Sequence, residues 1–284
     1  MLLPSASILS DGRINKNGMQ NNNLQTSRST ANWQQMLSGA KKVGIVGVPP
    51  LEVITFLHDQ QVAIDDLDAM LIKADLELVT AYLPRVYCAI LRTVVLNAIH
   101  LKLDAVIVDV GPGKCDAAFH VATILEESLD IPVIRTENRD NTAFGTPISQ
   151  GKLPLLDKLL QITEGVKNPL AAPNPPQACQ ATAGFWGVPP RDFSILEIFP
   201  DTTHVYGWSR CMENKTPADA DLEAYFNPEI PTIFFAQSFC AKTALARYLA
   251  SRHPHGLYLD IDVHTGNSAR AKIEAFLELS GAGQ

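Results

Sequence analysis

From Val43 onward, short apolar runs alternate with longer segments whose apolar residues recur at helical spacing. The runs VGIV, DAVIVDV and IPVIRT predict buried strands, and the segments AILRTVVLNAI and AAFHVATILEE predict helices with one apolar face. We also predict a strand at LELVTAY, a helix directly after Pro49 and Pro50, and a helix at LPLLDKLLQI that stops before Gly165. Strands that alternate with helices are typical of βαβ units and a parallel sheet.

A proline-rich segment, KNPLAAPNPP, interrupts this series, and a second series begins at GFWGVPP. The second series predicts helices at FSILEIF, KTALARYLA and SARAKIEAFLEL, and strands at THVYGW, PTIFFAQS and GLYLDIDV. Residues 1–31 are polar and rich in Asn, Ser and Gln, which predicts a disordered tail. The predicted organisation is therefore a tail at 1–31, a Rossmann-like half at 32–167, a linker at 168–183 and a second Rossmann-like half at 184–284.

The two halves share short matches in the same order. Gly-Val-Pro-Pro occurs at 47–50 and 187–190, and Ala-Asp-Leu-Glu occurs at 74–77 and 220–223. Cys-Ala follows at Cys88 and Cys240, and Asp-Val follows at 109–110 and 262–263. We expect an α/β fold of two tandem Rossmann-like halves with mostly parallel sheets, an internal duplication and a cleft between the halves. The alternative is that Gly-x-Pro-Pro is a common strand-to-helix connector, which does not explain the other matches.

Composition and charge narrow the classes of partner. The chain has 284 residues and a formal net charge of −7, with no basic run, which argues against a nucleic-acid partner. No apolar run approaches the roughly 18 residues of a membrane span, and the first residues lack the basic region of a signal peptide. We therefore expect a cytoplasmic protein with a small-molecule ligand, and a homo-oligomer stays open. In that compartment the five cysteines should be thiols, ligands or nucleophiles rather than disulfides.

Two loops could bind an anion, such as the phosphate of a ligand or cofactor. The first, DVGPGKCD, offers Gly111, Gly113 and Lys114 between a strand and a helix. Neither a Walker A motif nor Gly-x-Gly-x-x-Gly is complete there. The second loop offers a set of small and polar residues: Thr265, Gly266, Asn267 and Ser268. The alternative for both loops is an ordinary turn and helix cap.

The cysteines are dispersed, at Cys88, Cys115, Cys179, Cys211 and Cys240. Their spacing excludes a zinc finger and a ferredoxin-type run, yet ligands from separate loops can converge in such a fold. A thiol at a helix N-terminus has a lowered pKa, which suits a nucleophile or a metal ligand. Burial as small apolar side chains is the alternative. We expect Cys240 to be more reactive than Cys88, because the helix after Cys240 has the more polar first turn.

Further candidates lie in the second half. Asp262 and His264, two residues apart at a strand exit, could act as a base and its orienting group beside Cys240. Trp186, Arg191 and Arg210 could line a pocket for a planar or anionic ligand, with core packing as the alternative.

These observations favour an enzyme that binds a small anionic ligand between the halves, with a cysteine thiolate taking part. A second hypothesis is a metal- or iron–sulfur-binding protein of cofactor assembly or redox chemistry, in which the cysteines are ligands. A third is a small-molecule sensor without catalytic activity.

Overall fold

The computed structural model describes residues 33–141, 147–170 and 175–282. The chain divides into two compact units, Met1–Ser38 and Gly39–Gln284. In the first unit, the described part contains the short helix α1 (Trp33–Met36). The disordered tail predicted at 1–31 lies outside the described residues. All elements named below belong to the second unit.

The first sheet has four parallel strands in the order β2-β1-β3-β4. The strands are β1 (Lys42–Val46), β2 (Ala63–Asp66), β3 (Ala105–Asp109) and β4 (Val133–Thr136). The helices of this half are α2 (Leu51–Asp59), α3 (Ala89–His100), α4 (Asp116–Ser128) and α5 (Leu155–Gly165). All five residues of β3 are buried, as a central strand covered on both faces requires.

The second sheet is also parallel, with the order β6-β5-β7-β8. Its strands are β5 (Gly184–Gly187), β6 (His204–Tyr206), β7 (Thr232–Gln237) and β8 (Gly256–Ile261). The helices of this half are α6 (Trp208–Asn214), α7 (Ala220–Ala224), α8 (Thr243–Arg252) and α9 (Asn267–Leu279). The predicted α/β architecture with two parallel sheets is confirmed.

The shared strand order changes which residues correspond between the halves. β3 and β7 occupy the same place in their sheets, and so do β4 and β8. Cys240 follows β7, so its counterpart by position is Cys115 after β3, and not Cys88. The two Asp-Val matches likewise belong to strands in different places. Asp109 is the last residue of β3, and Asp262 follows β8. The pairing of Cys88 with Cys240 was therefore wrong, and an internal duplication stays a prediction.

Two segment predictions were wrong for a common reason. The predicted strand at LELVTAY contains the 3₁₀ turn Leu76–Val79, and the predicted helix at FSILEIF is the 3₁₀ helix Phe193–Ile198. In each case an aspartate directly before the turn, Asp75 or Asp192, accepts a backbone N–H from two residues further on. This local capping competes with a strand or an α-helix, and the apolar pattern does not reveal it.

The core of the second half contains one residue that was predicted to bind a ligand. Trp186 is fully buried against Phe234, with the ring centroids 5.9 Å apart. Its indole N–H donates to the carbonyl oxygen of Glu223 at 2.8 Å. The prediction for Trp186 was therefore wrong, because an aromatic side chain on a central strand satisfies both its apolar ring and its polar atom inside the core.

Candidate functional site

The two sheets direct the carboxyl ends of their strands toward one cavity of about 360 Å³. Its walls come from the segments that follow β1, β2, β3, β5, β6 and β7, and from α5. In open α/β sheets this is the edge at which ligands bind. The chemistry-bearing residues that line it are Asp66, Asp68, Cys88, Lys114, Cys115, Arg191, Cys240 and Lys242.

Three of the five cysteines line this cavity, and each comes from a different loop. Cys88 is the N-cap residue of α3, and Cys115 is the N-cap residue of α4. Cys240 lies in the turn between β7 and α8. The side chains of Cys88 and Cys240 lie close enough for each to shift the pKa of the other. The fold thus gathers three thiols that are far apart in the sequence.

The pKa values of Cys88 and Cys240 are shifted in opposite directions. The hydrogen bond from Cys240 lowers the pKa of the Cys88 thiol, and the backbone N–H groups of Leu91 and Ile90 lower it further. The same shared hydrogen bond, together with burial, raises the pKa of Cys240 well above its usual value. Of these two cysteines, Cys88 is the N-cap residue of a helix, so it holds the thiolate more readily. This order is opposite to the expectation that Cys240 is the more reactive thiol.

The remaining two cysteines lie outside the cavity lining. Cys211 is fully buried in α6, where its sulfur is 3.7 Å from the carbonyl oxygen of Asp219. Burial raises the pKa of Cys211 to about 12, which makes it a packing residue. The Cys179 sulfur is 3.8 Å from Nε2 of His204. His204 is the first residue of β6, so it lies at the amino end of that strand, whereas the cavity lies at the carboxyl ends. Within the described part of the chain, no three His, Cys, Asp or Glu side chains form a group that could hold a metal ion.

The glycines of the first predicted anion loop contact protein. Gly113 has φ +83°, and a Cβ atom there would lie 1.6 Å from the carbonyl oxygen of Pro217 in the second half. A Cβ atom on Gly111 would lie 2.7 Å from the backbone nitrogen of Asn138. The lack of side chains at these positions therefore lets the chain pack closely against itself. Gly113 also lines the cavity, and anion binding by Gly111 and Gly113 stays a prediction.

Lys114 lies beside two acidic side chains, Asp66 and Asp68, that were not predicted from the sequence. Asp68 accepts the backbone N–H of Gly47 at 2.6 Å and lies 3.5 Å from Nζ of Lys114. Burial, together with the nearby charge of Asp68, raises the pKa of Asp66 far above the usual carboxyl range. Burial opposes the charge on Lys114, but Asp68, Cys115 and Asp109 outweigh it and raise the pKa of the amine. This acidic pair with one lysine forms the β2 side of the cavity.

Arg191 lies after β5 and lines the cavity, as predicted for a ligand-binding residue. Its Nε donates to Oγ1 of Thr93 at 3.1 Å, and its backbone N–H donates to Oε1 of Gln237 at 2.9 Å. Burial and the nearby Arg92 lower the pKa of the guanidinium. Arg210 differs, because it pairs with Glu213 at 2.6 Å and lies outside the cavity lining.

The second predicted loop does not line the cavity of the three cysteines. Asp262 and His264 are exposed, and their role as a base and its orienting group beside Cys240 stays a prediction. The backbone N–H of Thr265 donates to the carboxylate of Asp192 at 3.1 Å. An acidic side chain of the protein therefore already uses one donor of this loop. The rest of the predicted set, Gly266, Asn267 and Ser268, is exposed at the start of α9.

Comparisons with known proteins give no family for this chain. No known protein family and no curated protein matches it. Among solved structures, one titled MenH from S. aureus aligns over 85% of this chain and 94% of that chain, with 12% identity. Its TM-score of 0.20 is too low to indicate a shared fold. In the described residues, no helix is long and apolar enough to cross a membrane.

Proposed function

We propose that Cys88, Cys115 and Cys240 hold an iron–sulfur cluster at the wall of the cavity, and that the protein carries out redox chemistry on a small molecule bound beside it. The observation that carries the proposal is the convergence of three thiols from three separate loops on one cavity. Packing alone does not require three cysteines there. Of the two cysteines outside the cavity lining, Cys179 contacts the imidazole of His204, and Cys211 contacts the main-chain carbonyl of Asp219.

We propose a cluster rather than a single metal ion. A single zinc ion needs all its ligands within about 2.3 Å of one point. Among the described residues, no three His, Cys, Asp or Glu side chains lie close enough together to hold one metal ion. In a cluster, bridging sulfides separate the irons, so the thiolates that bind it stand further apart. Three ligands from the chain leave room for a small molecule at a further iron.

One lysine favours the thiolate form of Cys240. The hydrogen bond with Cys88 and burial raise the pKa of Cys240, and the charge of Lys242 offsets part of this rise. A cation beside a thiol stabilises the thiolate, which is the form that binds iron. Lys242 is held in place by Glu223 at 2.6 Å and by the ring of Trp208, 4.7 Å from its Nζ.

The second candidate function is an enzyme with a cysteine nucleophile and a small anionic substrate. The hydrogen bond from Cys240 to Cys88 favours it, because it stabilises a thiolate on Cys88 within the cavity. In that mechanism Cys240 positions the nucleophile, and Cys115 has no chemical role.

Alkylation of the anaerobically purified protein separates the two functions. With a cluster bound, Cys88, Cys115 and Cys240 should resist iodoacetamide together and become reactive together after the iron is chelated, while Cys179 reacts in both samples. The purified protein should also be brown. A colourless protein in which iodoacetamide modifies Cys88 rapidly, while Cys115 and Cys240 stay unmodified, would overturn the cluster and support the nucleophile.

A further inference from the structure

We infer that the cavity binds an amphipathic monocarboxylate, with its carboxylate on Arg191 and its apolar body along the cavity wall beside the three cysteines. The inference names the ligand class of the site and rests on the proposed function only for the chemistry that follows binding. Three observations carry it: the cavity wall is apolar, Arg191 is a cation without a carboxylate partner, and the acidic pair on the β2 side engages Lys114.

Most of the cavity wall is apolar. The side chains that form it include Val48, Met70, Ile90, Leu160, Phe193 and Met212. A sugar or a nucleotide would place hydroxyl groups against this wall without hydrogen-bond partners, at a large cost in free energy. An alkyl or aryl group gains free energy there by leaving water. A volume of about 360 Å³ suits a small molecule of this kind.

Arg191 is the cation that can receive a charged group. Lys114 is already close to Asp68, at 3.5 Å, and Lys242 is paired with Glu223 at 2.6 Å. The charges of Asp192 and Asp75 act on Arg191, but within the described residues no carboxylate is close enough to form an ion pair with it, and its side chain is partly buried. Thr93 occupies Nε of Arg191, so the two terminal nitrogens remain available to face a ligand. A guanidinium presents such nitrogens to a carboxylate as two parallel donors.

The acidic pair on the β2 side engages Lys114, which limits the ligand to one negative charge. Asp66 and Asp68 line this side of the same cavity, and Asp68 lies 3.5 Å from Nζ of Lys114. Oδ1 of Asp68 is buried and accepts no hydrogen bond from the described residues. Because Lys114 and Lys242 already have carboxylate partners, a second carboxylate or a phosphate dianion would enter the cavity without a further unpaired cation to balance its charge. A monocarboxylate therefore fits better than a dicarboxylate or a phosphate ester.

Calorimetric titration of the purified full-length protein tests the inference. The probes are phenylacetate, its uncharged isostere phenylacetamide, and the dianion succinate. We expect phenylacetate to bind at least tenfold more tightly than either of the others. Arg191→Gln should weaken phenylacetate binding at least tenfold, with Arg191→Lys in between. The matched control is Arg139→Gln, because Arg139 is exposed, pairs with Glu137 and lies outside this cavity; it should bind as the wild type does.

The inference is overturned if phenylacetamide binds as tightly as phenylacetate, or if Arg191→Gln binds phenylacetate as the wild type does. The first comparison uses wild-type protein alone, so it decides the matter even if Arg191→Gln fails to fold. Repeating the titration on Cys115→Ala separates this inference from the proposed function. Cys115→Ala should lose iron and still bind phenylacetate. Wild-type protein that binds phenylacetate through Arg191 but holds no iron would overturn the cluster and keep the ligand class, and iron-containing wild type that does not bind phenylacetate would do the reverse.

Discussion

The side-chain amine of Lys242 donates a hydrogen bond of 2.9 Å to the main-chain carbonyl oxygen of Gly113. Lys242 lies two residues after Cys240, and Gly113 lies two residues before Cys115. The bond therefore ties together two of the three cysteine-bearing loops, one from each half. Lys242 also pairs with the buried carboxylate of Glu223. The relative position of the thiols is thus fixed by contacts between the loops, which can be tested one at a time.

Replacing Gly113 should destabilise the protein. In Gly113→Ala, the new Cβ atom would lie 1.6 Å from the carbonyl oxygen of Pro217, and φ is +83°. Backbone strain and the clash together should lower the free energy of unfolding by at least about 2 kcal/mol in urea denaturation. The matched control is Gly165→Ala, where a Cβ atom meets nothing within 4 Å, and its effect should be small. Equal effects of the two substitutions would contradict the close contact between the halves.

Replacing Lys242 should leave a buried charge without its partner. In Lys242→Met, Glu223 loses its ion pair at 2.6 Å while only 7% exposed. Removing one partner of a buried pair lowers the free energy of unfolding by about 3 kcal/mol. The double variant Lys242→Met/Glu223→Gln should recover a large part of that loss, since the uncompensated charge is gone. A double variant as unstable as the single one would show that Lys242 acts mainly through its bond to Gly113.

The stability of the fold should depend on pH through Asp109. Burial raises the pKa of Asp109 to about 6, from a usual value of 3.8. Between these two values the folded state binds the proton more tightly, so this group lowers the free energy of unfolding as pH rises from 3.8 to about 6. The full cost at neutral pH is about 3 kcal/mol for a shift of this size.

The matched variant for this effect is Asp109→Asn, which has no titrating group and keeps an oxygen for the backbone N–H groups of Asn138 and Gly111. Urea denaturation across this pH range should show a difference between variant and wild type that changes by about 3 kcal/mol. A difference that stays constant from pH 4 to pH 7 would mean that Asp109 keeps an ordinary pKa.

Much of the fold could be predicted because the central strands are continuous apolar runs. β3 and β7 are buried along their whole length, so their composition shows their position. β2, with the sequence AIDD, lies at an edge and carries two aspartates, so it has no such pattern. Because that strand was missed, Asp66 and Asp68 were not expected at the site.

The site could be predicted only in part, since convergence depends on topology. Sequence spacing identified five cysteines but could not separate Cys88, Cys115 and Cys240 from Cys179 and Cys211. That separation follows from which segments leave the carboxyl ends of the strands. Trp186 was misassigned because an aromatic residue beside glycine has the same sequence pattern in a core strand as in a pocket wall.

Iron and acid-labile sulfide per chain, measured on anaerobically reconstituted protein, test the central claim most directly. The wild type should hold both in a stable, brown complex after desalting. Cys88→Ala, Cys115→Ala and Cys240→Ala should each lose most of the iron and the sulfide, while their circular dichroism shows a retained fold. Cys179→Ala and Cys211→Ala should keep the wild-type content. Iron that is absent from the wild type, or lost equally in all five variants, would contradict a cluster held by the three cysteines of the cavity.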